Sequence, residues 1–314
     1  MPHNLPDLQN SADSRGIALE RVGVSDVMFP ITIKQKDGKL QSMPAKIKLF
    51  VGLPKEYKGA NMSRFMECLV DFEDYIAPML AEQEMEGSSI SYHSMPLLLE
   101  LLKERLESED AYARFEFDYF IEKKAPVTER SAPMSYRCAL TGIKKDGDYR
   151  YILEVNVIAA SLCPCSREMS LLKNLGKLIM EADTAVVIGD NGPPMLVGKE
   201  LPSVVGMGAH NQRSQIRVEL VPKEDTVVWI EDIVALAEAQ ASVATYPILK
   251  RPDEKYVTEA GYNNPKFCED IARDLQIALE ADSRIIEWSI RVTNEESIHP
   301  YNVQTYQKSA NWHP

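Results

Sequence analysis

Two Lys-Asp-Gly turns, Lys36-Asp37-Gly38-Lys39 and Lys145-Asp146-Gly147-Asp148, constrain the fold of this chain more than any other local feature. An Asp-Gly pair between apolar runs selects a tight β-hairpin, because glycine accepts the positive φ that such a turn needs. The first turn joins the run Met28 to Lys36 to the run Leu40 to Val51. A helical pattern follows from Ser63 to about Ala77, with Phe65, Leu69, Phe72 and Ile76 on one face. Ser63 is its expected N-cap and Pro78 its expected end or kink. Pro96 starts a second helix carrying Leu97, Leu98, Leu101, Leu102 and Leu106. The runs Ala113 to Lys123 and Met134 to Lys144 read as two more strands, which completes the order ββααββ.

The second turn opens another pass of the same pattern. Tyr149 to Ala159 and Gln215 to Val221 read as strands, the latter with Ile216, Val218 and Leu220 alternating with polar residues. Ile230, Ile233, Val234 and Ala237 recur at helical spacing. Asn264-Pro265 reads as the N-cap and first residue of a further helix, whose buried stripe is Phe267, Ile271, Leu275 and Leu279. Arg284 to Thr293 and His299 to Gln307 close as strands. The expectation is an α+β chain of two ββααββ modules, each an antiparallel sheet backed by helices. Residues 1–27 read as an irregular or edge segment, 28–145 as the first module and 146–314 as the second.

Composition narrows the function. With 314 residues, 45% hydrophobic and 26% charged, the chain buries a large core. No apolar run approaches a bilayer span, so no membrane partner is expected. Met1 to Gly16 is polar and broken by Pro2 and Pro6, unlike a signal peptide. Five cysteines in a chain of this length argue against a disulfide framework and for a reducing cytoplasm. The net charge of −12 and the lack of a basic stripe argue against a nucleic-acid partner. An anionic small substrate needs local cations, and Arg64, Arg213, Lys250, Arg251 and Lys255 are the candidates. Taken singly, each of these is better read as a solvated surface charge.

Four islands in the second half carry metal-ligand chemistry: Ser161-Leu162-Cys163-Pro164-Cys165-Ser166, Gly208-Ala209-His210-Asn211-Gln212-Arg213-Ser214, Lys250-Arg251-Pro252-Asp253-Glu254-Lys255 and Glu296-Ser297-Ile298-His299. Thiolate, imidazole and carboxylate together suit a borderline divalent metal. Singly, each island has a plainer reading. A lone cysteine usually packs, although two flanking a proline after an apolar strand favour an exposed turn at a sheet edge. A lone histidine is more often structural, but Asn211, Gln212 and Arg213 beside His210 look like pocket lining. Glu254 and Glu259 fall in a polar loop before a helix. Glu269, in a helix's first turn, is a favourable helix-dipole charge. His299, before Pro300, takes an ordinary strand-edge position.

Taken together, the islands resemble the GTP cyclohydrolase IB family, and the resemblance covers nearly the whole chain. It also includes Asp7-Leu8-Gln9-Asn10, Arg15-Gly16, Val22-Gly23-Val24, Asn61-Met62-Ser63-Arg64-Phe65, Leu249 to Glu259 and Asn264-Pro265-Lys266-Phe267. It implies a bimodular tunnelling fold and a homotetramer with sites at or near subunit interfaces. The implied reaction takes GTP and water to formate and 7,8-dihydroneopterin triphosphate, feeding folate-type pterins or a modified tRNA base. A divalent metal, zinc, manganese or iron, is implied, held by Cys163, His210 and Glu254 with His299 in or next to the ligand set. Cys165 matches a reactive cysteine beside the substrate, and His299 and Cys165 serve as acid-base groups. Glu269 matches the carboxylate that anchors the guanine edge, where one carboxylate accepts two adjacent N–H donors.

Two features depart from the family pattern. Asn61 stands where the family has histidine, and an insertion of about 171–205, containing Gly192-Pro193-Pro194, separates the cysteine block from the His210 block. All the expected ligands lie outside that insertion. Two other functions compete: a tunnelling-fold nitrile reductase, which would consume NADPH, and a purine- or pterin-binding protein without turnover.

Overall fold

The computed structural model describes residue 9 and residues 11–76, 90–170, 185–187, 195–197 and 208–313. Its frame is one antiparallel sheet built almost in chain order. β1 (Leu19–Lys34), β2 (Leu40–Leu53), β3 (Ala111–Lys124), β4 (Ser131–Lys145) and β5 (Asp148–Leu162) pair in sequence. β8 (Asn211–Pro222), β10 (Ile285–Glu295) and β11 (Val303–Lys308) continue the sheet beyond β5, and the two-residue β9 (Val243–Ala244) also pairs with β5. β6 (Ala185–Val187) and β7 (Met195–Val197), between β5 and β8 in the chain, form a separate two-stranded sheet. Gly38 (φ +86°), Asp146 (φ +52°) and Gly147 (φ +87°) take the left-handed conformations that the two Lys-Asp-Gly turns call for. The β4–β5 turn also makes the sheet continuous from one half of the chain into the other.

Alternation along the strands gives the sheet two unlike faces. On β8, Ile216, Val218 and Leu220 are buried, while Gln215, Arg217 and Glu219 point the other way. The apolar face is covered by α1 (Met62–Asp71), α2 (Met95–Leu106), α3 (Ile230–Gln240), α4 (Arg251–Asn263) and α5 (Cys268–Ala281). Gly142 of β4 lets α2 come close: a methyl group there would lie 2.4 Å from Met95 Cγ and 3.1 Å from Leu99 Cδ1. The first half therefore follows ββααββ, and the α+β class is as expected.

Several local expectations are corrected. Asn61, not Ser63, caps α1, its side chain accepting from the Ser63 N–H at 3.1 Å. The helix then runs into a π turn over Phe72–Ile76, and Pro78 lies outside the described residues. β1 begins at Leu19, on the sheet edge. The segment with Glu254 and Glu259 is not a loop but α4, a helix between α3 and α5. Pro252 in its first turn and Asp253 at its third position, accepting from the Lys250 N–H at 2.9 Å, are the signals that mark its start. Asn264 ends α4 rather than opening α5, and α5 starts at Cys268 with Asp270 accepting from the Phe267 N–H. β11 starts at Val303, so His299 sits in the bend before it. Among the described residues no helix is long and apolar enough to cross a membrane.

Candidate active site

The end of β5 and the start of β8 bring the first two islands together. Leu162 pairs with Asn211 at the last rung of the β5–β8 ladder, and one residue further the Cys163 N–H donates to the His210 carbonyl at 3.1 Å. Ser166 ties the same corner twice. Its hydroxyl donates to the Cys163 carbonyl (3.2 Å) and accepts from the His210 N–H (3.3 Å). Residues 164–170 leave the strand as a helical turn, which fixes the direction of the Cys163-Pro164-Cys165 segment. Cys163 and His210 are half-buried, and Cys165 is exposed. The His210 Nδ1 lies 3.2 Å from Gln212 Oε1. A carboxamide oxygen only accepts, and in the tautomer that donates Nδ1–H to it the Nε2 lone pair is left for a metal or a proton.

A second layer steadies this corner. The Leu162 N–H donates to the Ser242 hydroxyl, and the Lys266 N–H donates to the Leu162 carbonyl at 3.1 Å. The Asn264 carboxamide donates to the Ala241 and Ser242 carbonyls at 3.0 and 3.1 Å. Arg167 lies over the Tyr262 ring at 4.9 Å. On these elements Ser161 Oγ, Arg167 Nε and Tyr262 Oη are buried and find no partner among the described residues. Unmatched buried polar atoms are uncommon in a finished interior and mark a place where polar groups from outside are accommodated.

The remaining expected residues are carried by other elements. Glu254 is exposed in the first turn of α4, eight residues and therefore about 12 Å of helix before Tyr262. His299 is exposed and stacked on Tyr301 at 5.2 Å between ring centres. Among the described residues no group of three His, Cys, Asp or Glu side chains comes together closely enough to hold a metal ion. Glu269 is exposed in the first turn of α5. Arg213 is exposed two residues into β8, on the rung between Ala160 and Glu295. Lys250 and Arg251 are exposed at the start of α4. Arg64 is on α1, where it donates to the Arg105 carbonyl (3.2 Å) and lies 4.0 Å from Glu107.

The side chain next to Glu254 is the one that sequence reasoning passed over. Asp253 is fully buried and accepts from the Val127 and Thr128 N–H groups, the Thr128 hydroxyl and the Lys250 N–H. Burial alone would raise its carboxyl. The hydrogen bonds from Thr128, Lys250 and Val127 outweigh it and hold the group well below the usual carboxylate range. Asp253 thus pins the start of α4, and with it Lys250, Arg251 and Glu254, to the turn after β3.

Comparison with known proteins covers nearly the whole chain. The family model described as type I GTP cyclohydrolase FolE2 matches residues 5–305. GTP cyclohydrolase FolE2 of Magnetococcus marinus is 36% identical over 302 residues, covering 96% of this chain and 95% of that protein. The Azoarcus sp. protein of the same description is 37% identical over 303 residues, covering 96% and 94%. The Thermosipho africanus protein is 33% identical over 296 residues, covering 94% and 95%. In backbone course alone the chain is similar to uricase from Arthrobacter globiformis, at 6% identity and TM-score 0.44, covering 94% of this chain and 95% of that one. With nearly all of the sheet and both islands of the Cys163–His210 corner inside the matched range, the chain belongs to the type I GTP cyclohydrolase FolE2 family.

Proposed function

We propose that this chain converts GTP and water to formate and 7,8-dihydroneopterin triphosphate, as a cyclohydrolase of pterin and folate biosynthesis, at the corner where β5 meets β8. The observation that carries the site assignment is the Cys163 N–H to His210 carbonyl bond, which makes the residues that bear the expected thiol and imidazole backbone neighbours. This donor pair fits a divalent metal. Cys163 and His210 would hold it, with Glu254 and His299 completing the set. When bound, the metal supplies Lewis acidity that lowers the pKa of water near the purine C8.

The chain's own residues do the rest. Gln212 keeps the proton on His210 Nδ1 and so keeps Nε2 basic. Cys165, exposed two residues after Cys163, is placed to exchange a proton with the opening imidazole ring of the substrate, and His299 serves the later proton transfers. Glu269 accepts two N–H groups of the guanine edge. Arg213, Lys250, Arg251 and Arg64 supply positive charge for the triphosphate on a chain that is otherwise acidic.

The expected ligands do not converge into a group of three among the described residues of one chain, which supports a homotetramer whose sites form at or near subunit interfaces. The modules at 28–145 and 146–314, a cytoplasmic location and the choice among zinc, manganese and iron belong to the same reading. The test is formate release and pterin fluorescence from purified protein and GTP, without NADPH. Chelation should abolish both signals and a single divalent ion should restore them. Cys163→Ala should lose metal and turnover together, and Cys165→Ala should keep metal and lose turnover. Full activity in protein verified to be metal-free would sink the reading. Tight GTP binding without formate would favour a binding protein.

A further inference from the structure

The face of the sheet turned away from the helices carries a basin of about 580 Å³ that the site above does not use. Its walls include Arg137 of β4, Asn156 of β5, Arg217 of β8 and Arg291 of β10, residues of four neighbouring strands. Arg217 and Arg291 are direct cross-strand partners. The Asn156 carboxamide reaches across to the Arg137 carbonyl at 3.0 Å. Like charges placed directly opposite each other destabilise a sheet, so this pairing calls for a compensating group.

The neighbouring acids compensate only one member of the pair. Glu154 accepts from Arg217 at 3.0 Å and from Arg114 at 2.7 Å. Glu219 accepts from Arg217 at 2.7 Å and from the Ser289 hydroxyl at 2.8 Å. Among the described residues, no acid lies within ion-pair distance of Arg291 or Arg137. Asp118, the one carboxylate lining the basin, sits across the ladder from Arg137 and forms no ion pair with it. The other polar lining groups, Gln215 and Gln304 among them, are neutral.

We infer that this basin is an anion site for a phosphate-bearing ligand, with Arg291 and Arg217 closing on one phosphate and Arg137 on a second. Guanidinium groups suit phosphate oxygens because their planar fork donates two hydrogen bonds at once. Arg137 and Arg291 stand three strand spacings apart, about 14 Å at the backbone, and both long side chains can lean inward. That span favours a polyphosphate chain over a single phosphate. The basin is separate from the corner at Cys163 and His210: Arg217 is six residues along β8 from Asn211, about 20 Å.

The test is calorimetric titration of the metal-loaded protein with sodium tripolyphosphate at fixed ionic strength. Wild type, Arg137→Gln/Arg291→Gln and Arg213→Gln/Arg251→Gln are compared. The expected result is a binding event that survives in Arg213→Gln/Arg251→Gln and weakens at least tenfold in Arg137→Gln/Arg291→Gln. Without ligand, the latter variant should melt no lower than wild type, because it relieves a like-charge pair. If it does not fold, Arg291→Gln alone should still weaken binding at least threefold. Unchanged affinity in the basin variants would overturn the inference, as would loss of all binding in Arg213→Gln/Arg251→Gln.

Discussion

Asp253 shows how much one side chain can settle. It accepts four hydrogen bonds and links α4 to the turn at Val127 and Thr128. Its ordinary carboxyl value is 3.8, and its folded value is lower. The stabilisation from the ionised form is therefore complete above that ordinary value and drains away as pH falls toward the folded one. Asp253→Asn puts an amide donor against backbone donors and should lower the thermal midpoint at neutral pH. The gap from wild type should narrow once the pH drops below about 4, where the carboxyl of the unfolded wild-type chain takes up a proton while the folded one stays ionised. A gap that stayed constant between pH 7 and pH 3 in a melting series would mean that packing, not charge, is what Asp253 provides. Asn61 makes a similar point. The residue that departs from the family pattern has a local task as the α1 cap, and its carboxamide oxygen performs that task without any metal chemistry.

At the scale of elements, close packing at Gly142 holds α2 to the sheet. Adding a methyl group there drives Cβ into the Met95 side chain, and overpacking of this kind costs about 1–3 kcal/mol. Gly142→Ala should destabilise the chain by that order in chemical denaturation, and its cost should be smaller when measured in a Met95→Ala background. Full stability in Gly142→Ala would show that α2 can slide without cost.

The strands and most of the helices were legible in the sequence because period-two alternation and the two Asp-Gly turns leave little choice of register. Helix α4 was not. Arg251–Asn263 has only Asp253 and Gly261 buried, so it carries no apolar stripe to betray it, and its start is marked by Pro252 and Asp253 alone. Asn264-Pro265 was misleading for a related reason. An asparagine before proline suits a helix start, but here its carboxamide is spent on the carbonyls of Ala241 and Ser242. Of the site, the pairing of Cys163 with His210 follows from adjacent strand ends, whereas Glu254 and His299 lie on elements whose meeting with that pair no strand pattern encodes.

For the whole molecule, a site shared between chains has a measurable outcome. If one chain contributes Cys163 and another contributes Glu254 to each site, Cys163→Ala and Glu254→Gln should each be inactive alone. Dissociated, mixed and reassembled, the two should regain a fraction of wild-type formate release, since some interfaces then pair an intact Cys163 with an intact Glu254. No recovery in mixed assemblies confirmed by mass would place all ligands on one chain.

The corner between β5 and β8 also has an architectural side. The Gly208 N–H donates to the Ser170 hydroxyl at 3.1 Å, so the excursion from residue 171 to residue 207 leaves and rejoins the sheet at a clasped neck. The entropic cost of such a loop rises only with the logarithm of its length, roughly 0.6 kcal/mol per doubling. The clasp closes the neck with residues outside that excursion. The neck is therefore a natural docking port for grafted cargo. A fluorescent reporter spliced between Ser170 and Gly208 would ride on the enzyme and signal from within a few residues of its chemistry.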